Sequence, residues 1–138
     1  MARGYTNFNP GNIRNSGVRY EGEVTPSKDP SFKQFESMEY GYRAMFVLLH
    51  TYRVKYGLNT LQSMIERYAP PVENDTRSYV GFVSMRTKIA DISTVDTLNE
   101  LQMVSIVAAI SRMENGVEPD MGDIRTAWAM FYDEYSRK

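Results

Sequence analysis

The run Leu101-Gln-Met-Val-Ser-Ile-Val-Ala-Ala-Ile-Ser-Arg-Met-Glu-Asn-Gly116 decides how this chain is read. Apolar side chains at Leu101, Val104, Val107, Ala108, Ile110 and Met113 make a broad face at helical spacing. Gly116 supplies the positive φ that commonly ends such a helix. The helix therefore finishes on a carboxyl group, Glu114, where core meets solvent. Partial desolvation and the negative end of a helix both favour a protonated acid at such a position. A carboxyl kept protonated near neutral pH is what cleavage of a glycosidic bond needs as its proton donor. The competing reading is an acid that marks a helix end and stays solvated.

Outward from that run, helical periodicity predicts further helices near Met38–Tyr56, Thr60–Tyr68, Asn74–Ile89 and Gly122–Ser136, with the central one spanning Thr97–Glu114. Asp96 or Thr97 followed by Glu100, and Asn59-Thr60 ahead of an apolar repeat, are the expected N-terminal caps. The first thirty residues are rich in Asn, Gly and Pro, and the alternating segments Val18–Val24 and Phe32–Phe35 are expected to pair as a small hairpin. No repeat, low-complexity tract or linker divides the chain, so residues 1–138 are read as a single α+β domain, mostly helical, with a small β-ribbon near the N-terminus.

Composition narrows the chemistry. A chain of 138 residues is long enough to bury roughly two-thirds of its unfolded surface. Its net charge of −1 gives no support to an electrostatic nucleic-acid binder. No apolar run approaches the roughly 18 residues that span a bilayer, and the N-terminus lacks the order of a signal peptide, so synthesis in the cytoplasm without a leader is expected. Cysteine is absent, which excludes a Cys/His peptidase. One histidine, His50, makes a zinc amidase or a Ser-His-Asp triad a poor fit, and it is expected on a helix surface or in a cap-like role. Trp128 is expected in the core. No metal or organic cofactor is implied, and hydrolytic work falls to carboxylates.

Two further segments offer binding chemistry. Asn9-Pro-Gly-Asn-Ile-Arg14 is first of all a turn, because Asn, Pro and Gly favour turns. Its amides and guanidinium also suit sugar hydroxyls, N-acetyl groups and carboxylates. Tyr68-Ala-Pro-Pro-Val-Glu-Asn-Asp-Thr-Arg-Ser-Tyr79 joins two helices through a stiff Pro-Pro elbow, with Asn74 or Asp75 as a cap. Either tyrosine offers a ring face and a hydroxyl.

The segment Ala108-Ala-Ile-Ser-Arg-Met-Glu-Asn-Gly116 resembles the catalytic-helix motif of lysozyme-like lytic transglycosylases, with Asn115 in a position usually held by Ser. Asn9-Pro-Gly-Asn-Ile-Arg14, Phe32-Lys-Gln-Phe-Glu-Ser37, Tyr40-Gly-Tyr-Arg-Ala44 and the Tyr68–Tyr79 block resemble a family of phage lysins and phage-derived proteins that degrade peptidoglycan. The same blocks are similar to bacterial cell-wall glucosaminidases, in which they follow the catalytic helix. Here the helix comes last, and the resemblance implies a circularly permuted lysozyme-like fold, which surface termini permit. It implies Glu114 as general acid and base, Asn12 and Arg14 as cleft walls, and Tyr79, with Tyr68, as a hydroxyl beside the reacting centre. The ribbon acids Glu21, Glu23 and Glu36 are each read first as solvated strand charges, and of the three Glu23 is the candidate second carboxylate. The implied reaction cleaves glycan between N-acetylmuramic acid and N-acetylglucosamine, by a monomeric phage lysin or virion component acting on the cell wall. The alternatives are a cell-wall-binding or virion structural protein without activity, a peptide-stem endopeptidase, and a helical partner-binding protein unrelated to cell walls.

Overall fold

The helical spacing that runs through the sequence is realised, in a computed structural model describing residues 2–72 and 74–138, as six helices and one two-stranded ribbon among the described residues. In chain order these are α1 (Arg3–Thr6), β1 (Glu23–Val24), β2 (Gln34–Phe35), α2 (Met38–Tyr56), α3 (Leu61–Tyr68), α4 (Thr76–Thr87), α5 (Glu100–Asn115) and α6 (Met121–Tyr135). The mostly helical α+β expectation holds. None of the helices is long and apolar enough to cross a membrane.

The helix ends follow from local chemistry. Ser37 accepts from the Tyr40 amide to start α2, and Gly57 ends it in the left-handed region at φ 68°. Thr60 and Ser63 satisfy each other's backbone amides in a reciprocal box ahead of α3. Asp75 caps α4, which is shorter than the predicted 74–89 at both ends. Helix α5 begins later than expected. Its cap is Asn99, because Asp96 spends its carboxylate on the Leu98 amide (2.9 Å) and Thr97 is buried against His50. At its other end Gly116 adopts φ 74°, as the sequence required, one residue beyond Asn115.

The β-ribbon is smaller than the predicted hairpin. Glu23 pairs with Phe35 and Val24 with Gln34, antiparallel, and an isolated bridge joins Arg14 to Phe32. Residues 18–22 are not part of it. The Lys33 ammonium donates to the Val18 carbonyl (2.7 Å), taking up a backbone acceptor that a longer ladder would use.

A single core runs through the helices. Helix α2 lies along α6, and Tyr42, Ala44, Met45, Phe46 and Leu49 of α2 are wholly buried. Trp128 is in this core as expected, with its ring edge-on to Phe46 at 5.2 Å. His50 is half-buried rather than on the surface. Its Nδ1 lies 2.7 Å from Thr97 Oγ1 and its ring meets Phe131 and Tyr135 edge-on. Near the start of α2, Gly41 lets the Phe8–Pro10 backbone lie directly on the helix, since a methyl at Gly41 would overlap the Phe8 carbonyl oxygen.

Candidate active site

Glu114 occupies the last turn of α5, half-buried, and both of its carboxyl oxygens are held. Asn12 Nδ2 donates to Oε1 at 2.8 Å and Tyr79 Oη donates to Oε2 at 2.7 Å. These groups come from opposite ends of the chain and from α4, so the acid is gripped between three separate segments. Two neutral donors thus fix the plane of the carboxyl group.

The opening turn is built to present Asn12. Asn9, wholly buried, accepts from the Ile13 amide (2.9 Å) and donates to the carbonyls of Ile13 (3.0 Å) and Lys33 (2.8 Å). Its amide is therefore internal, not a sugar contact as the sequence allowed. Asn12 itself has φ 49°, a left-handed conformation that Asn tolerates better than most residues. Asn115, the residue directly after the acid, donates to the Pro10 carbonyl (2.8 Å) and to the Ser111 carbonyl (2.9 Å). It thereby clamps the turn to the end of α5. Sequence reasoning missed this role; the only signal was an Asn immediately after the acid.

Tyr79 is 3% exposed, and burial, reinforced by the Glu114 charge, holds its phenol far above the usual range. It therefore stays a neutral donor. Tyr68 is likewise raised well above its usual value by burial first and Glu114 second, and its hydroxyl donates to the Gly11 carbonyl at 2.5 Å. Tyr68 is thus a brace for the turn rather than a direct partner of the acid.

Glu114, Asn12, Arg14 and Tyr68 all line one cleft of about 770 Å³. Arg14 sits on its rim with its guanidinium 5.1 Å from the centre of the Phe32 ring. Glu23 is the exception among the predicted site residues. Its carboxylate is buried in an ion pair with Lys33 (3.0 Å), itself only 1% exposed, and also accepts from the Tyr20 amide (3.1 Å). The sequence offered a solvated strand charge or, at Glu23, a second cleft carboxylate; the nearby buried ammonium claims the acid instead. The other acids on the cleft wall, Glu21 and Glu134, both face the Arg43 guanidinium, at 3.6 and 2.9 Å. A more open recess of about 1030 Å³ between α3 and α4 holds none of the predicted site residues. Among the described residues no group of His, Cys, Asp and Glu is arranged to hold a metal ion.

No protein-family model matches the chain. It is 40% identical over 121 residues to Protein P5 of Pseudoalteromonas phage PM2, an alignment that covers 86% of this chain and 74% of that protein. The chain belongs to the Protein P5 family.

Proposed function

We propose that the chain is a peptidoglycan-cleaving enzyme of lysozyme-like, circularly permuted fold, acting on the bond between N-acetylmuramic acid and N-acetylglucosamine. The observation that carries this reading is the grip on Glu114: one carboxyl group, held by Asn12 and Tyr79, on the wall of a cleft of about 770 Å³. The permuted order is supported by the clamp between Asn115 and Pro10, which seats the chain's opening turn directly after the acid-bearing helix in space.

In the proposed reaction the Glu114 acid gives its proton to the glycosidic oxygen as the bond from that oxygen to the anomeric carbon breaks. The resulting carboxylate then takes a proton from the attacking hydroxyl. Asn12 and Tyr79 stabilise the anion between these two steps and fix the carboxyl plane. Retaining and inverting hydrolases set a second carboxylate about 5 Å or about 6.5–9.5 Å from the donor. The cleft acids Glu21 and Glu134 are instead engaged by Arg43, and Glu23 by Lys33. That favours the one-acid route, in which the muramoyl 6-hydroxyl attacks and closes an anhydro ring.

A monomeric lysin or a lytic virion component fits a relative encoded by a phage. Mass spectrometry of digested sacculi tests the reaction. Anhydro-muramoyl ends are expected. Reducing ends would move the assignment to hydrolysis, newly freed amines to a peptidase, and sedimentation with the wall without any release to a binding or structural protein.

A further inference from the structure

Away from Glu114 the same cleft carries charge that nothing in the reaction above uses. Its floor follows one face of α2 from Arg43 to Tyr56, a length of about 20 Å at the helical rise, so the cleft is a groove suited to a polymer. The cations along it differ in how they are neutralised. Arg43 is buried and lies between Glu134 and Glu21. Arg19, Lys55 and Arg67 also line the cleft and are exposed, yet none of the three is in an ion pair with a described carboxylate. In a chain whose net charge is −1, three cations lining one cleft with no ion-pair partner among the described carboxylates give it a local excess of positive charge.

Aromatic rings hold two of these cations in place. The Arg67 guanidinium lies 4.1 Å from the centre of the Tyr56 ring and 5.6 Å from that of Tyr52, and the Lys55 ammonium lies 5.4 Å from that of Tyr56. A ring face orders a guanidinium while leaving its donor edge open to an anion. Arg67 also adjoins Tyr68, whose hydroxyl reaches the turn that carries Asn12.

We infer that Arg19, Lys55 and Arg67 form a subsite for the carboxylates of the peptide stems that hang from the glycan strand. The inference rests on the proposed peptidoglycan reading and adds that the protein selects stem-bearing over bare glycan. Stem carboxylates are regularly spaced anions attached to an otherwise nearly uncharged sugar backbone, and a guanidinium beside an ammonium suits them by charge and by bidentate hydrogen bonding. Because all three cations are exposed, the attraction is screened by salt.

The test measures binding, so it does not depend on turnover. Binding of the Glu114→Gln protein is measured, at low and at high salt, to soluble stem-bearing glycan strands and to the same strands freed of stems by an amidase, which keep one lactyl carboxylate per disaccharide. Stem-bearing strands are expected to bind about tenfold more tightly, with the advantage lost at high salt and in the Arg19→Gln/Lys55→Gln/Arg67→Gln triple variant. Restoring charge with Arg67→Lys on that background is expected to recover part of it, which separates a charge effect from a folding defect. Equal binding of stem-bearing and stem-free strands overturns the inference, as does equal, charge-dependent binding to duplex DNA, which would mark a general polyanion surface. Stem-dependent binding without any cleavage by the parent would sink the enzymatic reading and leave the subsite standing. Cleavage indifferent to stems would do the reverse.

Discussion

Gly4→Ala tests whether the N-terminal turn of helix is part of the machinery that holds the acid. A methyl group at Gly4 would stand 2.5 Å from Asn115 Oδ1, 2.7 Å from the Asn9 carbonyl oxygen and 3.1 Å from Asn12 Oδ1. None of these neighbours gives way cheaply. Asn115 is pinned by its two donated bonds, Asn9 O is backbone and accepts from the Asn12 amide, and Asn12 is tied to Glu114. The two side-chain oxygens involved, Oδ1 of Asn12 and of Asn115, are also buried with no hydrogen-bond partner among the described residues, so Gly4 is packed against acceptors that a methyl group cannot satisfy. Overpacking costs about 1–3 kcal/mol, offset by about 0.5–1 kcal/mol from replacing a helical glycine, for a net loss of about 1–2 kcal/mol. With a urea slope of about 1–3 kcal/mol/M, the unfolding midpoint falls by roughly 0.5–1 M. Activity is expected to fall further than stability does. Displacing Asn12 removes a charge-assisted bond of about 1.5–3 kcal/mol from Glu114, equivalent to roughly a 10- to 100-fold loss in kcat, with sedimentation on sacculi unchanged. Urea titration alongside release of soluble wall fragments reads both effects. Parental stability together with parental turnover would show that the three contacts do not constrain the acid, and the positioning argument would fail.

Tyr79→Phe removes one of the two donors to Glu114 while keeping the ring in the core, and a loss of roughly 10- to 100-fold in turnover is expected with little change in wall binding. An unchanged rate would demote Tyr79 to packing. Glu23→Gln should destabilise the fold by about 3–5 kcal/mol by leaving the Lys33 ammonium buried without its partner, whereas the folded fraction keeps its specific activity. Denaturant titration and activity per folded molecule separate this outcome from a catalytic role, which would spare stability and abolish turnover. For His50, burial first and the Arg53 charge second hold the imidazole below its usual value, against a weaker opposing effect of Asp96. The unfolded chain then takes up a proton at higher pH than the folded one, so the His50 contribution is complete above about pH 6.5 and is lost as the pH falls from there through the folded-state value. Melting temperature followed across that window should decline more steeply in the parent than in His50→Gln, and parallel curves would refute it.

The long helices were legible because their signals are local. Met38–Tyr56 is bounded by Ser37 and Gly57, and the end of α5 by Gly116, each a residue whose backbone or side chain enforces a boundary. Residues 18–22 misled because their alternation looks like a strand, whereas the Lys33 ammonium, distant in sequence, takes the Val18 carbonyl. The start of α5 was displaced for a similar reason, since Thr97 is drawn into the core by His50, which is far from it along the chain. At the site, Glu114 stood out through its helix end, and Asn12, Arg14, Tyr68 and Tyr79 through resemblance. What the sequence did not disclose was the division of labour. Asn9 and Asn115 are the fasteners, Tyr68 is a brace, and Glu23 serves a buried lysine, all decided by contacts between segments remote in the chain.

The most direct test of the account compares release of soluble glycan fragments from sacculi by the parent and by Glu114→Gln, at matched folding and matched wall binding. Glu114→Gln keeps the shape of the side chain and removes the transferable proton. The account predicts that fragments accumulate with the parent and that release falls by at least about a hundredfold in the variant. Equal release by the two proteins would contradict it.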